Sequence, residues 1–164
     1  MIGAAKGMGE AHAKLCAERG ATVLVTDYDA GGSAVAEAIV AAGGKAHFRT
    51  LDVASESQWT DCVDWAIRDF GKVDGLVNNA GFSRVTGFLD TDLSAHRAMI
   101  QVMLTAPVEL SRLLLPGMIQ RGFGWVLGTS IIDNRNIVTR RLGDVGEAGF
   151  LGRAWAGFWS LFGM

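Results

Sequence analysis

The feature of this sequence that most limits its fold is a cluster of glycines at the start of a helical pattern. Gly3, Gly7 and Gly9 lie in the stretch IGAAKGMGEAHA, with Lys6 and Met8 between them. A helix that begins among glycines leaves its first backbone N–H groups uncovered, and its positive end then suits an anion such as a pyrophosphate. A glycine triplet alone is weak support, because turns also favour glycine. Together with the strand that follows, it predicts a phosphate-binding loop.

That strand ends in an aspartate. ATVLVTD, residues 21–27, is a short apolar and β-branched run, typical of a strand buried on both faces. The carboxylate of Asp27 can accept hydrogen bonds from both hydroxyls of an adenosine ribose and would repel a 2′-phosphate. The spacing therefore predicts NAD as cofactor, with NADP less favoured. Lys6 complicates this preference because its ammonium could hold a phosphate. The alternative interpretation of Asp27 is a solvated charge at the end of a strand.

The first 130 residues alternate between helical and strand patterns. Helices are predicted over 9–20, 31–42, 55–70 and 93–119, and strands within 21–27, 45–53, 72–81 and 124–130. Ser55 and Gln58 match a capping box at the start of the third helix. Alternating elements with short connections favour a parallel sheet with helices on both faces. The predicted fold class is α/β, a Rossmann-like doubly wound parallel sheet.

Two further predicted strands end in residues that suit a dinucleotide. Asp52 and Val53 follow one of them, and the carboxylate of Asp52 could bond an adenine amino group. Asn79, Ala80 and Gly81 follow the next, where an asparagine satisfies strand-end backbone groups and the small residues leave room for a ribose. A purely structural turn is the alternative for each of these residues taken singly.

Composition excludes several classes of function. A formal charge of −2 and the lack of any Lys/Arg run argue against a nucleic-acid partner. Cys16 and Cys62 lie far apart with no signal peptide ahead of them, and are expected to be buried thiols of a cytoplasmic protein. The apolar segment 149–164 is short for a membrane span and contains Arg153, so no membrane partner is expected. The three histidines lack the spacing of metal ligands, so no metal site is expected.

Taken together, these motifs resemble the short-chain dehydrogenase/reductase family. The matching pieces are GAAKGMG at 3–9, TD at 26–27, LDV at 51–53, NNAG at 78–81 and LLPGMIQRGFG at 114–124. The resemblance covers about residues 2–130. It implies a Rossmann fold, NAD(P) binding and hydride transfer to or from a small-molecule alcohol or ketone. It also implies that the helix at 93–119 packs across a dimer interface, so a homo-oligomer through that helix is expected.

Part of the catalytic group that the resemblance implies is replaced in this sequence. The family's asparagine in the long helix aligns with Met103, and its serine after the last matched strand aligns with Ile131. Ser130, the neighbouring residue, is a weak candidate for a catalytic role and has no evident histidine partner for a hydrolase triad. Neither Met103 nor Ile131 offers the hydrogen bonds that the family's residues make.

The family's tyrosine and lysine are also missing. The tyrosine aligns with Gly143 or Asp144 and the lysine with Glu147 or Ala148. In the family the tyrosine exchanges a proton with the substrate oxygen, and such positioned acid–base catalysis contributes roughly 10²–10⁴-fold. Tyr28, the one tyrosine in the chain, stands at the adenosine end and is expected to be a cofactor-side or surface residue. The chain alone is therefore expected not to be a competent dehydrogenase.

Both ends of the chain depart from the expected pattern. Only Met1 and Ile2 precede the first glycine, where a strand needs about five residues, so the strands beside it are expected to lie unpaired along a buried edge. Residues 131–164 are interpreted as an atypical tail after a cofactor-binding domain at 1–130. Three explanations stay open: a truncated dehydrogenase with a frame change near residue 131, a non-catalytic NAD-binding or interaction module, and an active enzyme with an unrecognised proton relay.

Overall fold

The structure, a computed structural model, describes residues 1–84 and 86–129. In chain order the elements are α1 (Gly7–Glu18), β1 (Thr22–Asp27), α2 (Gly32–Ala41), β2 (Lys45–Thr50), α3 (Glu56–Phe70), β3 (Gly75–Asn78), α4 (Leu93–Ile100), a π-helical turn (Gln101–Thr105), α5 (Ala106–Arg121) and β4 (Trp125–Gly128). Helices and strands alternate close to their predicted bounds. The predicted tail and the candidate Ser130 lie outside the described residues.

The strands form two parallel pairs, β1 with β2 and β3 with β4, and the start of the chain lies between the pairs. Ile2 forms a parallel bridge to Thr26 on one side and to Asn78 on the other. Its backbone N–H donates to the carbonyl of Val77 at 2.9 Å, and the N–H of Thr26 donates to the carbonyl of Met1 at 3.0 Å. The order across the sheet is therefore β2, β1, Ile2, β3, β4, which confirms the doubly wound Rossmann-like fold.

This arrangement corrects the expectation that β1 and β3 would be left unpaired along a buried edge. Met1 and Ile2 occupy the space between the carboxyl ends of the two strands. The hydroxyl of Thr26 also donates to the carbonyl of Met1 at 3.0 Å, and Ile2 is buried. The two strand pairs are thereby joined at the edge of the sheet where doubly wound folds bind ligands.

Two clusters of buried apolar side chains hold the helices to the sheet. Small side chains dominate the first, which consists of Ala4, Ala13, Ala17, Val23, Val25, Val35, Ala36, Ile39 and Ala46. Larger side chains form the second, which consists of Ile2, Leu51, Val53, Trp59, Cys62, Leu76, Ala106, Leu110, Leu114 and Met118. The indole N–H of Trp59 donates to the carbonyl of Val53 at 2.9 Å, so the polar atom of this buried ring is satisfied.

The capping box predicted at the start of α3 is wrong. Ser55 is the residue before the helix, as predicted, but its side chain makes no capping hydrogen bond. The side-chain oxygen of Gln58 instead accepts from the backbone N–H of Asp52 at 2.8 Å. The loop that leaves β2 brings this backbone donor within reach of Gln58, which therefore satisfies the loop and not the helix.

The prediction that both cysteines are buried holds for only one of them. Cys62 belongs to the second cluster, but Cys16 is half-buried. Ala13 and Ala17 lie four residues apart on the face of α1 that meets the sheet, and Cys16 lies to one side of that face.

The predicted long helix is continuous from Leu93 to Arg121, with the π-helical turn in its middle. In α4 and in the π-helical turn no residue is buried, so contact with the core begins at Ala106. For this reason Met99 and Met103 are only half-buried. By length and composition alone the helix could also cross a membrane, a test that core helices of soluble proteins pass as well.

Candidate dinucleotide-binding site

The glycine loop and the first turn of α1 form an open anion-binding geometry at the carboxyl edge of the sheet. Gly3 and Gly7 have φ angles of +73° and +62°, in the left-handed region that favours glycine. Lys6 precedes α1 and gives no side-chain cap to it. Lys6, Gly7 and Met8 are all exposed, and a Cβ at Gly7 would meet nothing within 4 Å. The first N–H groups of the helix, which have no partners inside it, are therefore accessible.

Gly3 and Gly9 are required for a different reason, namely close packing. A Cβ at Gly3 would lie 2.7 Å from the Cα of Ala80, nearer than real Cβ atoms approach. A Cβ at Gly9 would lie 2.6 Å from the side-chain nitrogen of Asn79 and would overlap the carbonyl oxygen of Gly3. The loop, the first turn of α1 and the end of β3 are thus packed so closely that neither glycine position has room for a Cβ.

Asp27 connects the glycine loop to the turn after β1. One carboxylate oxygen accepts from the N–H of Ala5 at 2.9 Å, and the other accepts from the N–H of Asp29 at 3.0 Å. The residue is 8% exposed. Because a carboxylate offers about four acceptor positions, it can still accept from further donors. Tyr28, beside it, is 72% exposed.

Two asparagines follow each other at the end of β3 with different surroundings. The side-chain nitrogen of Asn79 donates to the carbonyl of Gly3 at 2.7 Å, and its oxygen accepts from the hydroxyl of Thr129 at 3.2 Å. The side chain of Asn78 is buried, and its amide oxygen has no hydrogen-bond partner among the described residues. Thr129 was not singled out from the sequence, because its partner lies 50 residues away and no local pattern marks the pair.

Of the two predicted site residues in the loop after β2, one is polar and exposed and the other is apolar and buried. Asp52 is exposed, and its carboxylate accepts from the N–H of Ala54 at 2.8 Å. Val53 is buried, and with Ile2 and Ala80 it lines a narrow cleft between the sheet and the long helix. The structure therefore places the predicted residues at the ends of β1, β2 and β3 along one edge, together with the glycine loop.

On the side of Asn79 that faces the long helix, the described side chain nearest to Gly81 is a thioether. A Cβ added at Gly81 would lie 3.3 Å from the sulfur of Met103, so this thioether lies beside the end of the loop. A thioether is only a weak acceptor and donates nothing. Within 1–84 and 86–129 no group of three or more His, Cys, Asp or Glu side chains could hold a metal. The positions aligned with the family's serine, tyrosine and lysine lie outside the described residues.

The chain belongs to the short-chain dehydrogenase family. The family model with the description "short chain dehydrogenase" matches residues 1–136, most of the chain. This family consists of oxidoreductases that use NAD(P), and the fold, the order of the strands and the sequence motifs all agree with membership.

Relatives and solved structures in the family support the same conclusion. Cyclopentanol dehydrogenase of Comamonas testosteroni is 36% identical over 134 residues, which cover 80% of this chain and 53% of the relative. Cis-4-hydroxycyclohexanecarboxylate dehydrogenase of Sinomonas cyclohexanicum is 36% identical over 149 residues, 90% of this chain and 56% of the relative. The chain therefore spans about half the length of the curated relatives that it matches.

Two crystal structures show how closely the fold agrees. A metagenomic short-chain oxidoreductase in complex with NADP has a TM-score of 0.77 and 33% identity, with 84% of this chain and 63% of that chain covered. A hydroxysteroid dehydrogenase from Escherichia coli has a TM-score of 0.75 and 34% identity, with 78% of this chain and 55% of that chain covered.

Proposed function

We propose that this chain binds NAD along the carboxyl edge of its sheet. The observation that carries the proposal is the interlocking of Gly3, Gly9 and Asn79 beside the uncapped, exposed start of α1. The residues that would hold the cofactor are Gly3, Lys6, Gly7, Met8 and Gly9 at the pyrophosphate, Asp27 and Tyr28 at the adenosine ribose, Asp52 and Val53 at the adenine, and Asn79, Ala80 and Gly81 at the second ribose. When bound, NAD supplies the group that accepts or donates hydride.

Asp27 supports NAD over NADP as the cofactor of this chain. Its carboxylate is already held by two backbone N–H groups, so it cannot turn away from a ligand at the end of β1 without losing both bonds. A 2′-phosphate placed there would meet a fixed negative charge. Lys6 is exposed, and its ammonium could offset part of this repulsion. The NADP in the related metagenomic enzyme belongs to that protein.

For the chemical step, we propose that this chain is a catalytically defective member of the family. Met103 stands where the family's asparagine is expected and offers no hydrogen-bond donor. If the chain is active, its substrate is a small-molecule alcohol or ketone, as the names of its relatives suggest. The alternative is a non-catalytic NAD-binding or interaction module. A cytoplasmic location stays a prediction.

The long helix supports a homo-oligomer as the state of assembly. Ile100, Leu104, Val108 and Ile119 are each more than half exposed, although the helix also contributes to the core. Such a run of apolar side chains on one element is typical of an interface with another protein. We expect the second copy to pack against this helix.

The test of cofactor binding is calorimetry of the purified chain with NAD and with NADP, beside circular dichroism. We expect binding of NAD, weaker binding of NADP, and loss of NAD binding in Asp27→Ala. A chain that unfolds cooperatively on heating but does not bind NAD would refute the proposal.

A separate assay tests the catalytic defect. NADH formation is followed with a panel of cyclic and linear alcohols, and we expect none above background. Turnover that Asp27→Ala abolishes would instead favour the active enzyme with an unrecognised proton relay.

A further inference from the structure

A chain of hydrogen bonds runs from the end of β4 across β3 to the glycine loop. The hydroxyl of Thr129 lies 3.2 Å from the side-chain oxygen of Asn79 and 3.3 Å from the carbonyl oxygen of Asn78, to either of which it can donate. The side-chain nitrogen of Asn79 donates onward to the carbonyl of Gly3 at 2.7 Å. Three separate segments of the chain are thereby connected through one amide side chain.

The orientation of this amide matters for the loop. An amide turned by half a rotation would place its oxygen against the carbonyl oxygen of Gly3, so that two acceptors would face each other. The carbonyl of Gly3, which can only accept, therefore sets the observed orientation. The hydroxyl of Thr129 holds the other end of the amide in place by donating to its oxygen. The backbone N–H of Thr129 is already used in a 2.9 Å bond to the carbonyl of Asn78, so only the hydroxyl is free for this task.

The amide is also in direct packing contact with α1. A Cβ at Gly9 would lie 2.6 Å from the side-chain nitrogen of Asn79, so the amide fills the space against the first turn of the helix. Gly3, in turn, packs its backbone against Ala80, the residue after Asn79. A shift of the Asn79 side chain would therefore release the loop at Gly3 and the helix start at Gly9 together.

We propose that Thr129 is a positioning residue for the dinucleotide, which acts by holding Asn79 in the orientation that fixes the glycine loop. The proposal rests on the proposed function, because it names the part of the chain that shapes the phosphate end of the NAD site. Thr129 does not touch the cofactor in this scheme. Its contribution is to keep Gly3 and Gly9 where the open N–H groups of α1 can meet a pyrophosphate.

The first measurement is NAD affinity of Thr129→Val, which keeps the shape of the side chain and removes its hydroxyl. We expect the dissociation constant to rise about three- to tenfold, the effect of one neutral hydrogen bond. Thr129→Ser keeps the hydroxyl and should bind NAD as the wild type does. Thr22→Val, at the opposite end of β1, is the matched control and should leave the affinity unchanged. Equal affinity in Thr129→Val and wild type would overturn the proposal.

Amide hydrogen exchange without NAD tests the positioning itself. In Thr129→Val we expect the backbone amides of Gly3, Ala4 and Ala5 to exchange about three- to tenfold faster, with those of β2 unchanged and with Thr129→Ser restoring slow exchange. If the wild type fails to bind NAD, the proposed function fails, while these exchange rates still decide whether Thr129 holds the loop. Unchanged rates at the loop would overturn the proposal by themselves.

A double-mutant cycle tests the route through Asn79. If Thr129 acts through this amide, Thr129→Val should accelerate loop exchange in the wild type and have no further effect in an Asn79→Ala background. Additive effects of the two substitutions would show that Thr129 reaches the loop by another route, and would overturn the proposed role.

Discussion

The two sides of Asn79 differ in how closely their residues are packed and in which polar groups they offer. On the side of the glycine loop, Gly3 and Gly9 contact their neighbours backbone to backbone, and Asp27 is held by two N–H groups. On the side of the long helix, Met103 lies half-buried beside Gly81, in a stretch where no residue is fully buried. The first side has the geometry that we propose for NAD binding. On the second side, among the described residues, a thioether stands where the family's asparagine is expected, and it donates no hydrogen bond.

Under the proposed function, binding and catalysis are separable within one fold. Binding at the loop depends on space left by small residues and on backbone N–H groups. Catalysis depends on a few side chains of particular chemistry, each of which one substitution removes. A family member can therefore lose its reaction and keep its cofactor site.

The largest effect is expected at Gly3, where a comparison of two glycine substitutions distinguishes the cost of lost packing from the cost of backbone strain. Gly3→Ala adds a Cβ that overlaps Ala80 at a φ of +73°, and we expect it to lower the free energy of unfolding by about 3 kcal/mol or more and to abolish NAD binding. Gly20→Ala is the matched control, because Gly20 has a φ of +89° and open space around it. Gly20→Ala should lower the free energy of unfolding, measured by urea denaturation, by only about 1–2 kcal/mol and leave NAD affinity unchanged. An equal loss of unfolding free energy in Gly3→Ala and Gly20→Ala would show that the loop is not tightly packed.

The next effect tests the charge at the adenosine end. Asp27→Asn removes the negative charge and one acceptor for ribose hydroxyls, so we expect NAD affinity to fall about 10- to 100-fold and the preference over NADP to narrow. Asp29→Asn, two residues away and also bonded to the backbone, should change neither quantity. Titration calorimetry with both cofactors measures this. An undiminished preference for NAD in Asp27→Asn would place the discrimination elsewhere, for example at Lys6.

A smaller effect tests whether the two sides are independent. Met103→Asn introduces the family's residue beside Gly81, and we expect NAD affinity to stay within about twofold of the wild type and alcohol oxidation to stay at background. The reason is that one restored side chain does not supply a proton partner. Met99→Asn, one turn earlier on the same helix, controls for the loss of an apolar side chain. Turnover in Met103→Asn alone would show that the catalytic side lacks only this residue.

The smallest effect concerns the thiols. Burial raises the pKa of both Cys16 and Cys62 above the ordinary value of 9.0. Since the folded state then holds these protons more tightly than the unfolded state, stability is full below pH 9 and declines as the pH rises above it. Urea denaturation at pH 8 and pH 10 measures the decline, and Cys16→Ala with Cys62→Ala should reduce it. A pH-independent midpoint in the wild type would contradict the raised pKa of the two thiols.

Some features of the fold were predictable because their causes are local. The order of elements follows from the periodicity of apolar residues, and the open start of α1 follows from the glycines of the loop. The predictions that failed concern residues with distant or competing partners. Gln58 bonds to Asp52 and not to Ser55, and Cys16 lies just off the face that Ala13 and Ala17 bury.

The sequence by itself determined the family, the parallel α/β class and the row of cofactor-site candidates at the strand ends, since these depend on neighbouring residues and their spacing. The tertiary structure alone decided that Ile2 joins the two strand pairs, that Met103 lies against Gly81, and that Thr129 bonds to Asn79. Thr129 and Gly3 lie 50 and 76 residues from Asn79 in the chain. Contacts of this kind arise from the register of the sheet, which brings distant strand ends to one edge, and no local pattern records them.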